Sequence, residues 1–309
     1  MVKNSGRIFV ECLREYCVSK GVEVISYSHD WIFHLSKGER RHVVIGYDLG
    51  VNSSSSAQIC SDKAATFDVL DSHRVPSVPH HLFLEPWKVQ FVEKDGNWGE
   101  MISLHRFYGG RSIIKQNDGT GGRGVFLAGN VNALEEAVQK IFSRERSVAL
   151  SPYLEIEKEV RYYIANSRPL LCYEKCRPSV IGDGVSSVMT LAAKTEADFS
   201  IISSENVDWK YIPQLNEEVI LTWKHNLGGG ATMSRVGNDE LPQAKELALS
   251  AFQVLGLSAA SVDVVCVDGS WSVLEVNTGI MIENAYRSGA ISRAEAQEIY
   301  KDIIALIGM

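Results

Sequence analysis

The chain has 309 residues, 45% hydrophobic and 22% charged, a globular composition with enough apolar material for a sizeable core and two or three subdomains. Lys and Arg total 31 against 38 for Asp and Glu, a net charge of −7 with no basic block, which argues against nucleic acid as a partner. No apolar run approaches the roughly 20 residues that span a bilayer. The start leads into a helical pattern interrupted by Glu11, Arg14 and Glu15 rather than into a signal sequence, so a cytoplasmic protein with no membrane partner is expected. The 6 cysteines form no CxxC pair and read as buried, reduced thiols. Cys172 and Cys176 lack zinc partners at ligand spacing.

Phe9, Cys12, Leu13, Tyr16 and Cys17 recur at helical spacing up to Gly21, and residues 22–27 then read as a strand. Residues 42–47 form a second strand candidate leading into a serine-rich loop at 53–56. Ser61 is placed to cap a helix from Asp62 to about Ser72, which stops before Val75-Pro76. After a mixed stretch with a polar turn at 93–97, the order becomes strand (112–115), glycine loop (118–124), strand (125–127) and a capped helix from Asn132, a unit like a small lid. Strands near 148–150 and at 161–165 follow, then a loop at 182–184, a short helix, a strand at 218–222, a glycine loop at 228–230 and a helix from about 241 to 255. Three divisions are expected: an N-terminal α/β subdomain (1–75), a lid or central subdomain (76–150) and a C-terminal subdomain (151–309) that contains the strand pair described next.

The last two strands, 261–277, join at Asp268-Gly269-Ser270. Symmetric pairing about Gly269 sets 263 opposite 275 and 261 opposite 277, so alternation puts Asp263, Glu275 and Asn277 on one face. Val262, Val264, Leu274 and Val276 make the other face apolar. Facing carboxylates are costly unless a cation lies between them. Clustered oxygen donors suit Mg²⁺, which keeps several waters and is shared with substrate phosphates. The plainer reading pairs these acids with nearby Lys or Arg.

Gly119-Thr120-Gly121-Gly122-Arg123-Gly124 fits GxGxxG, but the dinucleotide fingerprint needs a helix directly after it, and residues 125–127 continue as strand. No Gly-Lys-Ser/Thr closes a P-loop. Glycine-rich backbone still approaches a phosphate closely, and Lys115 on the entering strand adds a cation. The competing reading is a surface turn.

Taken in order, these motifs resemble those of the ATP-grasp carboxylate-amine ligases, in particular the ATP-grasp domains of cyanophycin synthetase and bifunctional glutathione synthetase. The likeness runs from about Cys60 to Asn277. It rests on Asp62-Lys63 with Val75-Pro76, on Ile113-Ile114-Lys115 with the glycine loop, and on Glu159-Val160-Arg161. Residues 177–184, Asn226 with Gly229-Gly230, and Asp263 with Glu275-Val276-Asn277 complete it.

The resemblance implies an α/β (α+β) ATP-grasp fold that clamps ATP and Mg²⁺, with Mn²⁺ as an alternative ion. A carboxylate is phosphorylated by ATP, and an amine then displaces phosphate from the acyl phosphate. It places Lys63 and Lys115 on the ATP phosphates, with Gly119, Thr120, Gly121, Gly122 and Gly124 closing over them. Tyr153 and Leu154 fall at the adenine hinge and Glu159 at the ribose. Lys175, Arg177 and Asn226 would stabilise phosphate or acyl phosphate, Arg161 would hold a substrate carboxylate, and Asp263, Glu275 and Asn277 would bind the metal. Small-molecule carboxylate and amine partners, amino acids or short peptides, and a homodimer through the N-terminal domain are implied.

The hinge reads Leu150-Ser151-Pro152-Tyr153 where relatives often have glutamate. Thr278-Gly279-Ile280-Met281 stands where the family usually has Pro-Gly, and residues 278–284 are the expected acceptor pocket. The chain ends at Met309 without the second ligase domain of cyanophycin synthetase, so a stand-alone amino-acid or peptide ligase is expected. A phosphotransferase and an ATP-binding module without turnover are the alternatives.

Overall fold

The computed structural model describes residues 6–89, 97–119, 124–195, 207–225 and 231–309. Helix α1 (Ile8–Lys20) buries Phe9, Cys12, Leu13 and Cys17 and stops at Gly21, whose left-handed φ of 63° directs the chain into the next strand. Strands β1 (Glu23–Tyr27), β2 (Ile32–Lys37) and β3 (Arg40–Ile45) form an antiparallel sheet in that order. The sequence reading has no strand at β2, where only Phe33 and Leu35 alternate inward.

Two helices follow where one was expected. Ser53 accepts a hydrogen bond from Ser56 N and starts α2 (Ser54–Ser61), while Asp62, not Ser61, accepts from Ala65 N and starts α3 (Lys63–Ser72). The serine tract is therefore the first turn of a helix rather than a loop.

The lid contains β4 (His81–Leu84), α4 (Pro86–Val89), α5 (Asn97–Phe107), β5 (Ser112–Gln116), β6 (Val125–Ala128), α6 (Val131–Phe142) and β7 (Ser147–Pro152). Asn130 caps α6, two residues before the expected start. Its sheet has the order β4-β7-β5-β6, and Phe83, Met101, Ile114, Leu134, Val138 and Leu150 give it a core of its own.

The remaining elements are β8 (Lys158–Ala165), β9 (Arg168–Cys176), β10 (Ser179–Ile181), α7 (Val188–Ala192), β11 (Glu218–Ile220), β12 (Thr232–Val236), α8 (Pro242–Val254), β13 (Ala259–Val267), β14 (Ser270–Asn277), α9 (Glu283–Arg287) and α10 (Arg293–Ile304). Five strands make one antiparallel sheet, β12-β9-β8-β13-β14. Its pleat sends Val160, Tyr162, Ile164, Val262 and Val264 into a core with Phe252 of α8. Tyr163 and Tyr173 point the other way, toward Phe9 of α1 and Tyr300 of α10.

The first 75 residues consequently have no separate core. Ile8 to Leu49 pack with 163–173 and 280–309, whereas Cys60, Leu70 and Val75 pack against α8 and the central sheet. The boundary expected at residue 75 divides the sequence but not the packing.

The β13–β14 hairpin closes through a two-residue turn, Asp268-Gly269, with φ of 48° and 72°. Val267 pairs with Ser270 and Val264 with Val273, and a register shift then restores Asp263 opposite Glu275 and Ser261 opposite Asn277. The expected pairing of the polar residues thus holds by way of a bulge at Leu274, and Val273, not Leu274, joins the core.

Helix α1 has no side-chain cap from Arg7. Buried Glu283 takes that role from the far end of the chain, accepting Phe9 N at 3.2 Å and the Tyr300 hydroxyl. Replacing it strands two buried donors, so Glu283→Ala is expected to cost about 2–3 kcal/mol in urea unfolding. An unchanged midpoint would contradict this role.

Candidate functional site

A cavity of about 710 Å³ lies between the lid, the central sheet and the N-terminal hairpin. The lid contributes Ile113, Lys115, Gln116 and Val125, and the following hinge Tyr153, Leu154 and Ile156. Helix α3 supplies Lys63, the central sheet supplies Glu159, Arg161 and Lys175, and β14 supplies Leu274, Glu275, Val276 and Asn277. Thr278, Gly279, Met281 and Asn284 line it as well, where the acceptor pocket was expected.

The floor is a cluster of four charged side chains on neighbouring strands. Asp263 of β13 pairs in register with Arg161 of β8, and Val160 with Glu174 of β9 sets Lys175 beside them. Arg161 Nε and Nη2 donate to Asp263 Oδ1 and Oδ2 at 2.6 and 2.5 Å. Lys175 Nζ donates to Asp263 Oδ2 at 2.8 Å and to Glu159 Oε1 at 2.6 Å.

Burial opposes every charge in this cluster, and the partners decide the outcome. Burial alone would raise the Asp263 carboxyl, but Arg161 and Lys175 outweigh it and hold it below the usual range. Burial and Arg161 disfavour the Lys175 ammonium, and Asp263 with Glu159 reverses that and raises it. At Glu159 burial prevails over the pull of Lys175, and the carboxyl is raised.

Two residues singled out from the sequence have protein partners here. Asp263 is 1% exposed, lies outside the cavity lining and has both oxygens engaged by cations, so it presents no free donor to a metal. Glu159 faces the cavity, with Oε1 held by Lys175 and Oε2 lying 3.6 Å from His225 Nδ1. Among the described residues no group of three His, Cys, Asp or Glu side chains is arranged for a metal. Glu275 and Asn277, next but one on β14, both face the cavity. Two hard oxygen donors in a cavity that also holds two lysines suit Mg²⁺, which is held by one or two carboxylates plus substrate phosphates rather than by a full protein cage.

Lys63 and Lys115 stand above these donors. Lys63 Nζ is 3.9 Å from Glu275 Oε1 and donates to the carbonyls of Asn117 and Gly119. Its backbone N donates to Asn117 O at 3.1 Å, while Ala64 N donates to Asn117 Oδ1 at 3.1 Å, tying the start of α3 to the end of β5. Burial, together with the charge of Lys63, pushes Lys115 down to about 8 against the pull of Glu275 and Glu159. Burial and these same two lysines keep His80 uncharged behind them.

At the hinge, Arg111 stacks on the Tyr153 ring at 4.1 Å and Trp223 meets that ring edge-on at 5.9 Å. Lys224 Nζ donates to Val125 O at 3.0 Å, which links this segment to the lid. Burial, with Arg177 and Lys175, pushes His225 down to about 4, so its contact with Glu159 is made by a neutral ring at pH 7. Arg177 is half-buried beyond β9 and outside the cavity lining.

Gly119 lines the cavity, and Gly124 has a φ of 65° that favours glycine but lies off the lining. Thr120, Gly121, Gly122 and Arg123, and likewise Asn226, Gly229 and Gly230, lie outside the described residues. Trp31, Tyr47, Asp48, Trp223, Lys224 and His225 line the cavity as well; from the sequence the two tryptophans read as packing groups and the histidine as structural or solvated, and the other three are not singled out. Trp223, Lys224 and His225 directly precede Asn226, the one signal that marked their neighbourhood.

No family model matches the chain. The chain is 26% identical over 219 residues to cyanophycin synthetase of a Synechocystis species, covering 62% of this chain and 25% of that one. It is 25% identical over 232 residues to a probable alpha-L-glutamate ligase of Rhodopirellula baltica, covering 75% and 44%. A bifunctional glutathione synthetase from Pasteurella multocida superposes with a TM-score of 0.58 at 17% identity, covering 97% of this chain and 44% of that one. The chain thus spans less than half the length of these relatives. It has the ATP-grasp fold and is a distant homologue of ATP-grasp ligases.

Because Lys115 is charged only below about 8, the cavity should hold a polyphosphate more weakly as pH rises from 7 to 9. Lys115→Met should weaken ATP or tripolyphosphate binding about tenfold at pH 7 and flatten that dependence. Calorimetry that shows the same affinity and slope in both proteins would contradict the assignment.

Proposed function

We propose that this protein is an ATP-dependent, ADP-forming ligase that joins the carboxylate of an amino acid or short peptide to an amine through an acyl phosphate. The observation behind this reading is the set of groups gathered in one cavity: the aromatic pair Tyr153 and Trp223, the lysines Lys63 and Lys115 with Glu275 and Asn277, and Arg161 with Thr278, Gly279, Met281 and Asn284. Those groups suit adenine, phosphates and a carboxylate. The relationship to ATP-grasp ligases supports it.

In this reading Tyr153, Leu154 and Trp223 hold the base, and Lys63 and Lys115 neutralise the phosphates. A substrate carboxylate oxygen attacks the γ-phosphorus as the bond to ADP breaks. The amine nitrogen then attacks the acyl carbon, phosphate leaves and the amine loses a proton. No covalent bond to the protein is needed, so catalysis rests on positioning and on fixed charges. Arg161, fixed by two bonds to Asp263, keeps Nη1 for a carboxylate, and Lys175 is held rigid beside it by Glu159 and Asp263. Mg²⁺, held by Glu275 and Asn277, would supply charge neutralisation at the phosphates. The loop at 119–124 would close over them. A cytoplasmic setting belongs to the same proposal, and no helix of the described residues is long and apolar enough to cross a membrane.

Incubation with MgATP and amino-acid mixtures, followed by phosphate assay and product mass, tests it. Phosphate release with a new amide is the expected result. A stable phosphorylated product would replace the ligase with a phosphotransferase, and nucleotide binding without turnover would reject catalysis. Glu275→Gln should lower turnover by about 100-fold or more with the circular dichroism spectrum unchanged, and full activity in that variant would sink the metal assignment.

A further inference from the structure

The N-terminal hairpin contributes a wall of the cavity that the nucleotide reading leaves unused. Trp31 precedes β2, and Gly46 N donates to its carbonyl at 2.7 Å. The indole lies directly on Gly46: a Cβ there would come within 2.7 Å of Cζ2, and the φ of 60° also favours glycine. The Tyr47 ring stands edge-on to it at 6.4 Å, and the Arg7 guanidinium covers both rings at 5.6 and 5.7 Å. Despite this support Trp31 remains 48% exposed, Ile45 52% and Met281 37%. All three line the same cavity, which leaves a fixed apolar surface facing its interior.

Asp48 sits beside that surface and is held by reciprocal backbone bonds with Ile45 at 2.9 and 3.0 Å. Its carboxylate accepts Gly50 N at 2.8 Å and forms no ion pair among the described residues. Arg161 lines the same cavity, and its Nη1 donates no hydrogen bond among the described residues. One chamber therefore offers an anion, a cation and an apolar wall, the complement of a carboxylate, an ammonium and an apolar side chain.

We propose that this compartment selects a free amino acid with a large apolar side chain. That side chain packs against Trp31, Ile45 and Met281, and its ammonium is held by Asp48. The proposal rests on the ligase reading and names its substrate class. An acidic side chain is disfavoured, because it would bring a second carboxylate toward Asp48 and gain nothing from the aromatic wall.

The test is calorimetry on the full chain with Mg²⁺ and a non-hydrolysable ATP analogue, titrated with L-phenylalanine, L-leucine, L-glutamate and N-acetyl-L-phenylalanine. Phenylalanine and leucine should bind about tenfold or more tighter than glutamate, and N-acetylation should abolish the advantage. Trp31→Ala should lower phenylalanine affinity and Asp48→Asn should lower it similarly, each with nucleotide-analogue affinity retained as evidence of folding. Glutamate binding as tightly as phenylalanine, indifference of phenylalanine to Asp48→Asn, or no amino-acid binding at all would overturn the proposal. Selective binding without phosphate release from true ATP would instead remove the ligase reading and leave the binding preference standing.

Discussion

Asp263 is the point on which the site is built. Its carboxylate receives three hydrogen bonds, two from Arg161 and one from Lys175, and Lys175 passes the constraint to Glu159. Two negative and two positive groups balance in a place where any one left alone would carry a large desolvation cost. The sheet makes the cluster possible. β9, β8 and β13 are neighbours, so period-two alternation brings these side chains to one face while Val160, Tyr162 and Val262 seal the other against α8. The cavity therefore has a floor whose cations cannot easily move, which is what a site working by fixed electrostatics requires.

Above that floor, chain segments distant in sequence meet. The hinge and the 223–225 segment contribute aromatic lining, and β5 and α3 supply the paired lysines. The N-terminal hairpin and residues 278, 279, 281 and 284 complete the lining. These are brought together because α1 packs with α10 in a shared core and Glu283 caps α1 from the far end of the chain. The contact that stabilises the N-terminal helix thus also helps to shape the cavity.

Much of this was legible in the residues. The Asp268-Gly269 turn and the alternating valines give the hairpin away, and the strand after the glycine loop rules out a dinucleotide fold. Lys63, Lys115, Glu275 and Asn277 all face the cavity as the motifs implied. What escaped depends on neighbours that sequence does not name. Alternation says which face Asp263 occupies but not that β8 and β9 bring Arg161 and Lys175 to it, and both pair with its carboxylate. Strand β2 escaped because its inward residues are only Phe33 and Leu35, and with it went Trp31 and Tyr47. The tandem caps at Ser53 and Asp62 look like a polar loop until each side chain is seen accepting its own helix's N–H. The bulge at Leu274 leaves no mark in the sequence at all.

The central claim is that Asp263 is the counter-ion that keeps Arg161 and Lys175 in place. Unfolding of Asp263→Asn in urea, with chelator present and no nucleotide, tests it most directly. The account predicts a loss of about 3 kcal/mol or more, because buried Arg161 loses its counter-charge and Lys175 one of its two while no metal is involved. Stability equal to or above that of the parent protein would contradict it, as that is the behaviour of a carboxylate kept only to bind metal.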